Sequence, residues 1–276
     1  MGVYRHDAVR LFYRSRGHGT PLVMLHGLGS SSEDWEYQVP DFARRRRVVM
    51  PDLRGFGASD KHGPYTVETF TRDTWALLAH LRITRFDLLG YSMGGAVAMQ
   101  MALEHPEQVG RLVLSNTLPS FRTDTLAKRA LMWSRLLVMS VLGPRMLASI
   151  FTRRLYPKPE QAELRARLAR RNALNDRWVY ISTVRNLTRW SVRDRVGRLA
   201  MPVLVLAAAD DYFGVDDVEA FARALPDARL RVFADSHHGL PMEQPKAWNA
   251  AVLEFLDGVP ARHGPTPTPP AASAAA

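Results

Sequence analysis

Short apolar runs alternate with helix-length segments through the first half of the chain, and this rhythm constrains the fold more than any other feature. The alternating segment RLFYRSRG is followed by the runs PLVMLHG, RRVVMPDL, RFDLLGYS and RLVLSNT. Nearly continuous apolar runs are typical of strands that are covered on both faces, as in a parallel sheet. Between them, residues 67–81 and 93–104 have helical patterns, and Pro106 ends the second. The alternation predicts a doubly wound, mostly parallel α/β sheet.

The rhythm stops after about residue 118 and resumes at PVLVLAAADD and ARLRVFADS. The segment between is predicted to be wholly helical, with helices at 126–142, 146–156, 159–171 and 177–187. An all-helical insertion in an α/β alternation is typical of a cap over the sheet. We therefore predict a core of residues 1–119 and 196–260, a helical cap of residues 120–195, and a disordered Pro- and Ala-rich tail of residues 261–276.

Length and composition exclude several classes of protein. The chain has 276 residues, 46% of them hydrophobic, which suffices for one large core. It contains no cysteine, and this excludes disulfides, a cysteine nucleophile and thiolate metal sites. No apolar run reaches the length of a signal peptide core or a membrane span. We therefore expect a cytoplasmic protein without a membrane span.

The formal net charge of +10 suggests an anionic partner, but the distribution of the charge does not favour nucleic acid. The basic residues are nearly all arginines, with a concentration between residues 122 and 198, and no aromatic residues interleave with them in a known nucleic-acid motif. We interpret the arginines at 44–47 as a solvated turn rather than a phosphate-binding patch. No nucleic-acid partner is predicted, and the arginine-rich insertion favours an anionic substrate only mildly.

The segment LLGYSMGGA places Ser92 in a G-x-S-x-G pattern where an apolar strand meets a helix. In such an elbow the serine backbone is strained and its hydroxyl is exposed at the helix N-terminus. Side chains at Gly90 and Gly94 would collide as the strand passes the helix, and glycine removes both obstacles. Ser92 is therefore the candidate nucleophile.

A serine nucleophile needs a histidine base, and the histidine needs a carboxylate that fixes its tautomer. Asp210 and Asp211 follow the first apolar run after the insertion, and His237 and His238 follow the second. Asp235 precedes the histidines and is interpreted as a turn residue. The residue types alone leave both neighbouring pairs open.

Five motifs occur in the order LHGLGSSSEDW, PDLRGFGASD, GYSMGG, PVLVLAAADD and SHHGLPMEQP. Together they resemble the α/β-hydrolase superfamily over residues 10–256, and the resemblance implies the α/β-hydrolase fold with a helical cap insertion. It also implies the order nucleophile, acid, base, which fits Ser92, Asp211 and His238. The register of the family's acid favours Asp211 over Asp210.

The same resemblance distinguishes the two histidines. In the family pattern, glutamate stands five residues and proline seven residues after the catalytic histidine, and Glu243 and Pro245 stand at these distances from His238. His237 occupies the place where relatives have glycine, and we expect no catalytic role for it.

The resemblance further implies an oxyanion hole made of the backbone N–H groups of Leu28 and Met93. Leu28 follows the His26-Gly27 pair, which is similar to the family's oxyanion loop, and Met93 follows the nucleophile. His26 is interpreted as a residue that braces this loop, not as a proton carrier.

A serine at position 92 argues against relatives that use aspartate there, namely haloalkane dehalogenases and epoxide hydrolases. We predict a cofactor-free and metal-free serine hydrolase, monomeric or homodimeric, that cleaves a small-to-medium carboxylic ester or lactone through an acyl-enzyme intermediate. Three alternatives use the same residues: a C–C bond hydrolase of ring-cleavage products, a thioesterase and a perhydrolase. A ligand-binding receptor built on this scaffold is the alternative outside the enzymes.

Overall fold

A computed structural model describes residues 1–258 of the chain. The predicted tail of residues 261–276 lies outside the described residues. Strands of the described part form one sheet in the order β1-β2-β4-β3-β5-β6-β7-β8. Their bounds are β1 Gly2–His6, β2 Val9–Arg16, β3 Thr20–Leu25, β4 Arg46–Pro51, β5 Phe86–Tyr91, β6 Val109–Ser115, β7 Val203–Ala208 and β8 Ala228–Phe233.

The direction of the strands divides the sheet into two parts. β2 pairs antiparallel with both β1 and β4, whereas β4, β3, β5, β6, β7 and β8 pair parallel with one another. The parallel strands are the apolar runs of the sequence, and each residue of β5 and β7 is buried. The predicted mostly parallel α/β sheet is therefore confirmed.

The helices lie on both faces of the sheet. Their bounds are α1 Val39–Phe42, α2 Val67–His80, α3 Met93–Glu104, α4 Leu126–Val141, α5 Gly143–Leu155, α6 Ala162–Asn172, α7 Arg177–Leu187, α8 Val215–Arg223, α9 Leu240–Glu243 and α10 Pro245–Gly258. Short 3₁₀ helices cover Ser32–Trp35, Pro159–Gln161 and Arg193–Arg198. α2, α3 and α8 pack on one face, and α1 and α10 pack on the other. Successive strand residues such as Leu88 and Leu89 belong to opposite cores, so the sheet is doubly wound.

Four helices, α4 to α7, separate β6 from β7, where the sequence predicts the insertion. α7 has the predicted bounds because the Asp176 side chain accepts hydrogen bonds from the first backbone N–H groups of the helix. The predicted helix 159–171 is wrong at its start, since a 3₁₀ turn occupies Pro159–Gln161 and α6 begins at Ala162. The division into a core and a cap domain stays a prediction.

The interpretation of the arginines at 44–47 as a solvated turn is wrong for Arg46. This residue opens β4 and is 6% exposed. Its Nη1 donates to Asp87 Oδ2 at 2.6 Å, and its Nη2 donates to Asp257 Oδ1 at 2.8 Å. A buried guanidinium needs a counter-charge, and the two carboxylates supply it. The two ion pairs join β4 to β5 and to α10.

Through residue 258, no helix has both the length and the apolar character needed to cross a bilayer.

Candidate active site

A pocket lies between the carboxyl ends of the parallel strands and the inserted helices. The loops that follow β3, β5, β6, β7 and β8 each contribute lining residues: Gly27, Ser92, Leu118, Tyr212 and His238. Residues of α4, α5 and α7 line the opposite side. The carboxyl edge of a parallel sheet is where ligands bind in open α/β folds. The pocket therefore brings the predicted nucleophile and the predicted base to one place.

Ser92 stands alone between the end of β5 and the start of α3. Its backbone has φ +53° and ψ −118°, a conformation that residues other than glycine rarely adopt. The Ser92 N–H donates to the Ser115 carbonyl oxygen at 2.9 Å, and Thr117 Oγ1 donates to the Ser92 carbonyl oxygen at 2.9 Å. These contacts hold the strained backbone in place, which is the predicted elbow geometry.

The two elbow glycines lie where the strand and the helix nearly touch. A Cβ at Gly90 would overlap the Gly94 carbonyl oxygen and lie 2.6 Å from the Gly95 Cα. A Cβ at Gly94 would overlap the Leu25 carbonyl oxygen of β3. Because the obstacles are backbone atoms, no side-chain movement can relieve these clashes.

Ser92, His238 and Asp211 form one hydrogen-bonded chain. His238 Nε2 lies 2.9 Å from Ser92 Oγ, and His238 Nδ1 lies 2.9 Å and 3.0 Å from the two carboxylate oxygens of Asp211. The side chains of His238 and Asp211 are 5% and 2% exposed. With Nδ1–H donated to Asp211, the lone pair of Nε2 faces the serine hydroxyl.

Asp211 is held as a carboxylate. Burial raises its pKa, but the charge of His238 and the hydrogen bonds from His238, Asn116 and the Phe213 backbone outweigh burial, so its pKa is below the usual range. Asn116 Nδ2 donates to Asp211 Oδ2 at 2.8 Å. In the structure its amide is a donor that supports the acid of the neighbouring strand.

Neither Asp210, which the residue types leave open, nor Asp235, which is interpreted as a turn residue, is hydrogen-bonded to His238. Asp210 is exposed, and its backbone N–H donates to the Ser236 carbonyl oxygen at 2.9 Å. Asp235 has φ +49°, and its carboxylate lies 2.7 Å from Lys158 Nζ. Of the three carboxylates considered, the structure brings only Asp211 to His238.

His237 faces a different partner from His238. Its backbone N–H donates to Glu243 Oε2 at 2.6 Å, and its Nδ1 lies 3.1 Å from Glu243 Oε1. Gln161, in the 3₁₀ turn before α6, donates from Nε2 to Glu243 Oε1 at 3.0 Å. Tyr156 packs against Gly239, where a Cβ would overlap its ring. The loop that carries both histidines is therefore bonded to the inserted helices through Glu243.

Tyr212 is a site residue that sequence reasoning missed. Its hydroxyl lies 2.7 Å from His238 Nε2, and its ring centroid lies 4.2 Å from that of His238. Burial raises the pKa of Tyr212, while the nearby charge of Arg135 opposes the rise. The residue stays a neutral hydroxyl beside the reactive serine. Its only sequence signal is that it follows Asp211.

The predicted oxyanion donors flank Ser92. Leu28 lines the pocket, and Met93 is the first residue of α3. A Cβ at Gly27 would lie 3.3 Å from the Ser92 Cβ, so the loop after β3 passes directly beside the serine. His26 is fully buried; its Nδ1 contacts the Gly27 carbonyl oxygen at 2.8 Å, and its Nε2 accepts from the Leu53 N–H at 2.9 Å. Burial lowers the pKa of His26.

Within residues 1–258, no group of three or more histidine, aspartate or glutamate side chains has an arrangement that could hold a metal ion. The pocket side chains that surround Ser92 are instead mostly apolar and aromatic.

Comparison with known proteins agrees with this architecture. The chain is 30% identical over 255 residues to a putative carbamate hydrolase, RutD, of Caulobacter sp. strain K31, covering 87% of this chain and 94% of that protein. It is 29% identical over 237 residues to 3-oxoadipate enol-lactonase 2 of Acinetobacter baylyi, covering 84% and 86% of the two chains. The crystal structure of a hydrolase from Pseudomonas aeruginosa superimposes with a TM-score of 0.83 at 28% identity, covering 92% and 97%.

The family description "alpha/beta hydrolase fold" matches residues 20–245, which include Ser92, Asp211 and His238. The match spans the sheet, the inserted helices and the loops that meet at the pocket. The chain belongs to the α/β hydrolase fold family.

Proposed function

We propose that this chain is a serine hydrolase that cleaves a small-to-medium carboxylic ester or lactone through an acyl-enzyme intermediate. The single observation that carries the proposal is the continuous chain from Asp211 through His238 to Ser92, with heavy-atom separations of 2.9 Å at both contacts. A serine hydroxyl becomes an effective nucleophile when a neutral imidazole accepts its proton. Here the imidazole is held in the required tautomer by a buried carboxylate.

In the acylation step, Ser92 Oγ forms a bond to the substrate carbonyl carbon while its proton moves to His238 Nε2. The carbonyl oxygen becomes an oxyanion, for which we propose the backbone N–H groups of Leu28 and Met93 as donors. Met93 N–H stands at the positive end of α3, which adds a favourable dipole. Collapse of the intermediate breaks the bond to the leaving-group oxygen, which takes the proton from His238.

In the deacylation step, a water molecule takes the place of the leaving group. His238 accepts a proton from that water, the hydroxide adds to the acyl carbon, and Ser92 Oγ leaves with the proton returned by His238. No cofactor enters either step. The helices from α4 to α7 form the wall that covers the acyl group, which supports their proposed role as a cap.

The family relatives widen the set of carbonyl substrates to test. Their names include a carbamate hydrolase and an enol-lactonase, and both reactions begin with attack on an acyl carbon. A C–C hydrolase, a thioesterase and a perhydrolase would use the same acyl-transfer residues. We give precedence to esters and lactones over two of these, because a C–C hydrolase must also protonate a carbon and a perhydrolase must also bind peroxide. A thioesterase needs no further chemistry, and the substrate panel below separates it.

The proposal is tested by hydrolysis of p-nitrophenyl butyrate and by covalent labelling with a fluorophosphonate. We expect turnover and stoichiometric labelling of the wild type, with both lost in Ser92→Ala. A panel of lactones, thioesters, carbamates and dienoate ring-cleavage products then ranks the substrate classes. A folded wild-type protein that neither hydrolyses any of these compounds nor reacts with the fluorophosphonate would contradict the proposal and favour a ligand-binding receptor.

A further inference from the structure

The charged residues that line the pocket are all of one sign. Among the described residues around it, Arg122, Lys128 and Arg135 line the pocket and no aspartate or glutamate does. Arg122 is exposed, and Lys128 Nζ lies 3.1 Å from the carboxylate of Asp124. Arg135 is different from both, because it is half-buried and projects from α4 into the apolar part of the pocket.

The guanidinium of Arg135 is fixed in place by neutral groups. Its Nη2 donates to Tyr180 Oη at 2.7 Å, and its central carbon lies 3.8 Å from the centroid of the Phe151 ring. Its Nε is buried and has no hydrogen-bond partner. No carboxylate oxygen within residues 1–258 forms an ion pair with it. These contacts fix the orientation of the guanidinium plane, but they supply no negative charge to pair with it.

An unpaired cation inside an apolar pocket opposes folding, because burial removes water from the charge without supplying an anion in its place. An arginine at such a position is well suited to a ligand anion, since its planar N–H fork matches the two oxygens of a carboxylate. Phe151 and Tyr180 orient that fork in advance, which reduces the entropy lost on binding.

The position of Arg135 relative to the reactive groups sets the shape of the ligand. Arg135 and Ser92 line the same pocket, and their side chains have different hydrogen-bond partners, Tyr180 for the guanidinium and His238 for the serine hydroxyl. Apolar lining residues of α4, α5 and α7 surround it, among them Met139, Leu147 and Val184. A substrate that reaches both groups has an ester carbonyl at one end, an apolar stretch and an anion at the other end.

We propose that Arg135 binds a carboxylate of the substrate, so that the preferred substrates are small esters or lactones with a carboxylate at the end opposite the scissile carbonyl. The proposal rests on the proposed hydrolase function and specifies its substrate class. The carboxylate makes no covalent change during the reaction. It is held by charge-assisted hydrogen bonds that align the acyl chain for attack by Ser92.

The test compares two esters that differ only in the terminal carboxylate, mono-p-nitrophenyl adipate and p-nitrophenyl hexanoate. We expect the wild type to have the higher kcat/KM with the adipate ester. In Arg135→Met, which keeps an apolar stem against Phe151, kcat/KM for the adipate ester should fall by about 10- to 100-fold. The value for the hexanoate ester should stay within about threefold of the wild type.

Arg129→Met is the matched control, because Arg129 lies on the same helix, is exposed and does not line the pocket. It should leave both esters unchanged. Equal losses for the two esters in Arg135→Met, or a wild-type preference for the hexanoate ester, would overturn the carboxylate proposal while leaving the hydrolase proposal intact.

A binding measurement separates the two proposals further. Calorimetry on Ser92→Ala with monomethyl adipate should detect binding that is lost when Arg135→Met is added. Binding that depends on Arg135, combined with a folded wild type that hydrolyses none of the esters, would support the carboxylate site while contradicting the hydrolase. Binding that is unaffected by Arg135→Met would overturn the carboxylate site.

Discussion

The two walls of the pocket are built in different ways. The wall formed by the loops after the strands holds Ser92, Asp211 and His238 in a hydrogen-bonded chain, and all three side chains are nearly inaccessible to solvent. The wall formed by α4, α5 and α7 is mostly apolar, and its outer surface leaves large side chains such as Trp133 and Leu137 exposed.

This difference suggests a division of labour in which one wall carries the reactive groups and the other determines which substrates bind. The strand ends are fixed by the sheet, so reactive groups placed there keep their geometry. We propose that the inserted helices select the substrate through their shape, their apolar surface and the oriented charge of Arg135. Changes in the first wall should therefore alter turnover of every substrate, whereas changes in the second should alter the ranking of substrates.

The largest effect is expected from His238→Ala, which removes the base. We expect kcat to fall by about 10⁵-fold with neutral and anionic esters alike. In the matched variant His237→Gly, the neighbouring ring and its contact with Glu243 are lost but the base remains, so kcat should fall by less than about tenfold. Steady-state kinetics on both esters measures this. Comparable losses in the two variants would remove the distinction between the histidines.

The next effect concerns the adjacent carboxylates. Asp211→Asn replaces an acceptor of the His238 Nδ1–H by an amide, which favours the wrong tautomer, and kcat should fall by about 10³- to 10⁴-fold. Asp210 is exposed, and the carboxylate bonded to His238 is that of Asp211, so Asp210→Asn should change kcat by less than about threefold. Stopped-flow or steady-state assays of the purified variants decide this, and the reverse ranking would place the acid one residue earlier.

At Tyr212 we expect a smaller change in kcat, and an increase rather than a decrease. Neutral His238 has one lone pair at Nε2, and the hydroxyls of Tyr212 and Ser92 lie 2.7 Å and 2.9 Å from it. The Tyr212 hydrogen bond must break before Ser92 can transfer its proton. Tyr212→Phe removes this competition, which is worth about 1 kcal/mol, so kcat should rise by about fivefold. A tenfold fall would mean that the hydroxyl assists the reaction.

The last effect is one of stability rather than turnover, where the loop after β3 meets α6. Asp34 accepts a hydrogen bond from Ser30 and lies 3.5 Å from Arg171 of α6. Burial raises the pKa of Asp34 to about 6, although Ser30 and Arg171 oppose the rise. Because the folded-state pKa is the higher one, the stabilising effect of protonated Asp34 is complete below about pH 4 and is lost as the pH rises through about 6.

Asp34→Asn removes this titration. Between pH 5 and pH 8 its free energy of unfolding should increase relative to the wild type by roughly 1–2 kcal/mol. Urea unfolding at the two pH values measures the difference. A variant that loses stability relative to the wild type at pH 8 would show that the ion pair with Arg171 outweighs the cost of burying the carboxylate.

Features set by neighbouring residues were predictable from the sequence. α3 spans the predicted 93–104 because the elbow at Ser92 turns the chain from β5 directly into the helix and Pro106 stands just beyond the helix end. α7 likewise begins directly after the residue that caps it, Asp176. The sheet also followed from local pattern, since buried parallel strands need apolar residues on both faces. The candidate triad was predictable because the elbow and the family motifs are local.

Features set by distant residues were not predictable. Arg46 is buried beside Asp87, 41 residues later, and Asp257, 211 residues later, and these two carboxylates supply its counter-charge. Tyr212 is a site residue because the loop after β8 brings His238, 26 positions away, against its hydroxyl. Arg135 is one arginine among many in the insertion, and its lack of an acidic partner is visible only once the helices are assembled. Each depends on side-chain placement across the fold, which single-sequence periodicity does not encode.

The link between the histidine loop and the insertion has a mechanical consequence. Glu243 accepts hydrogen bonds from both His237 and Gln161. A displacement of the turn between α5 and α6 would therefore also displace the loop that carries His238. On α4, Arg129 donates to the Thr123 carbonyl oxygen just before the helix, and Arg135 donates to Tyr180 on α7. Neither bond reaches the histidine loop. A change in α4 should therefore leave the position of His238 undisturbed, whereas a change in the turn before α6 should not.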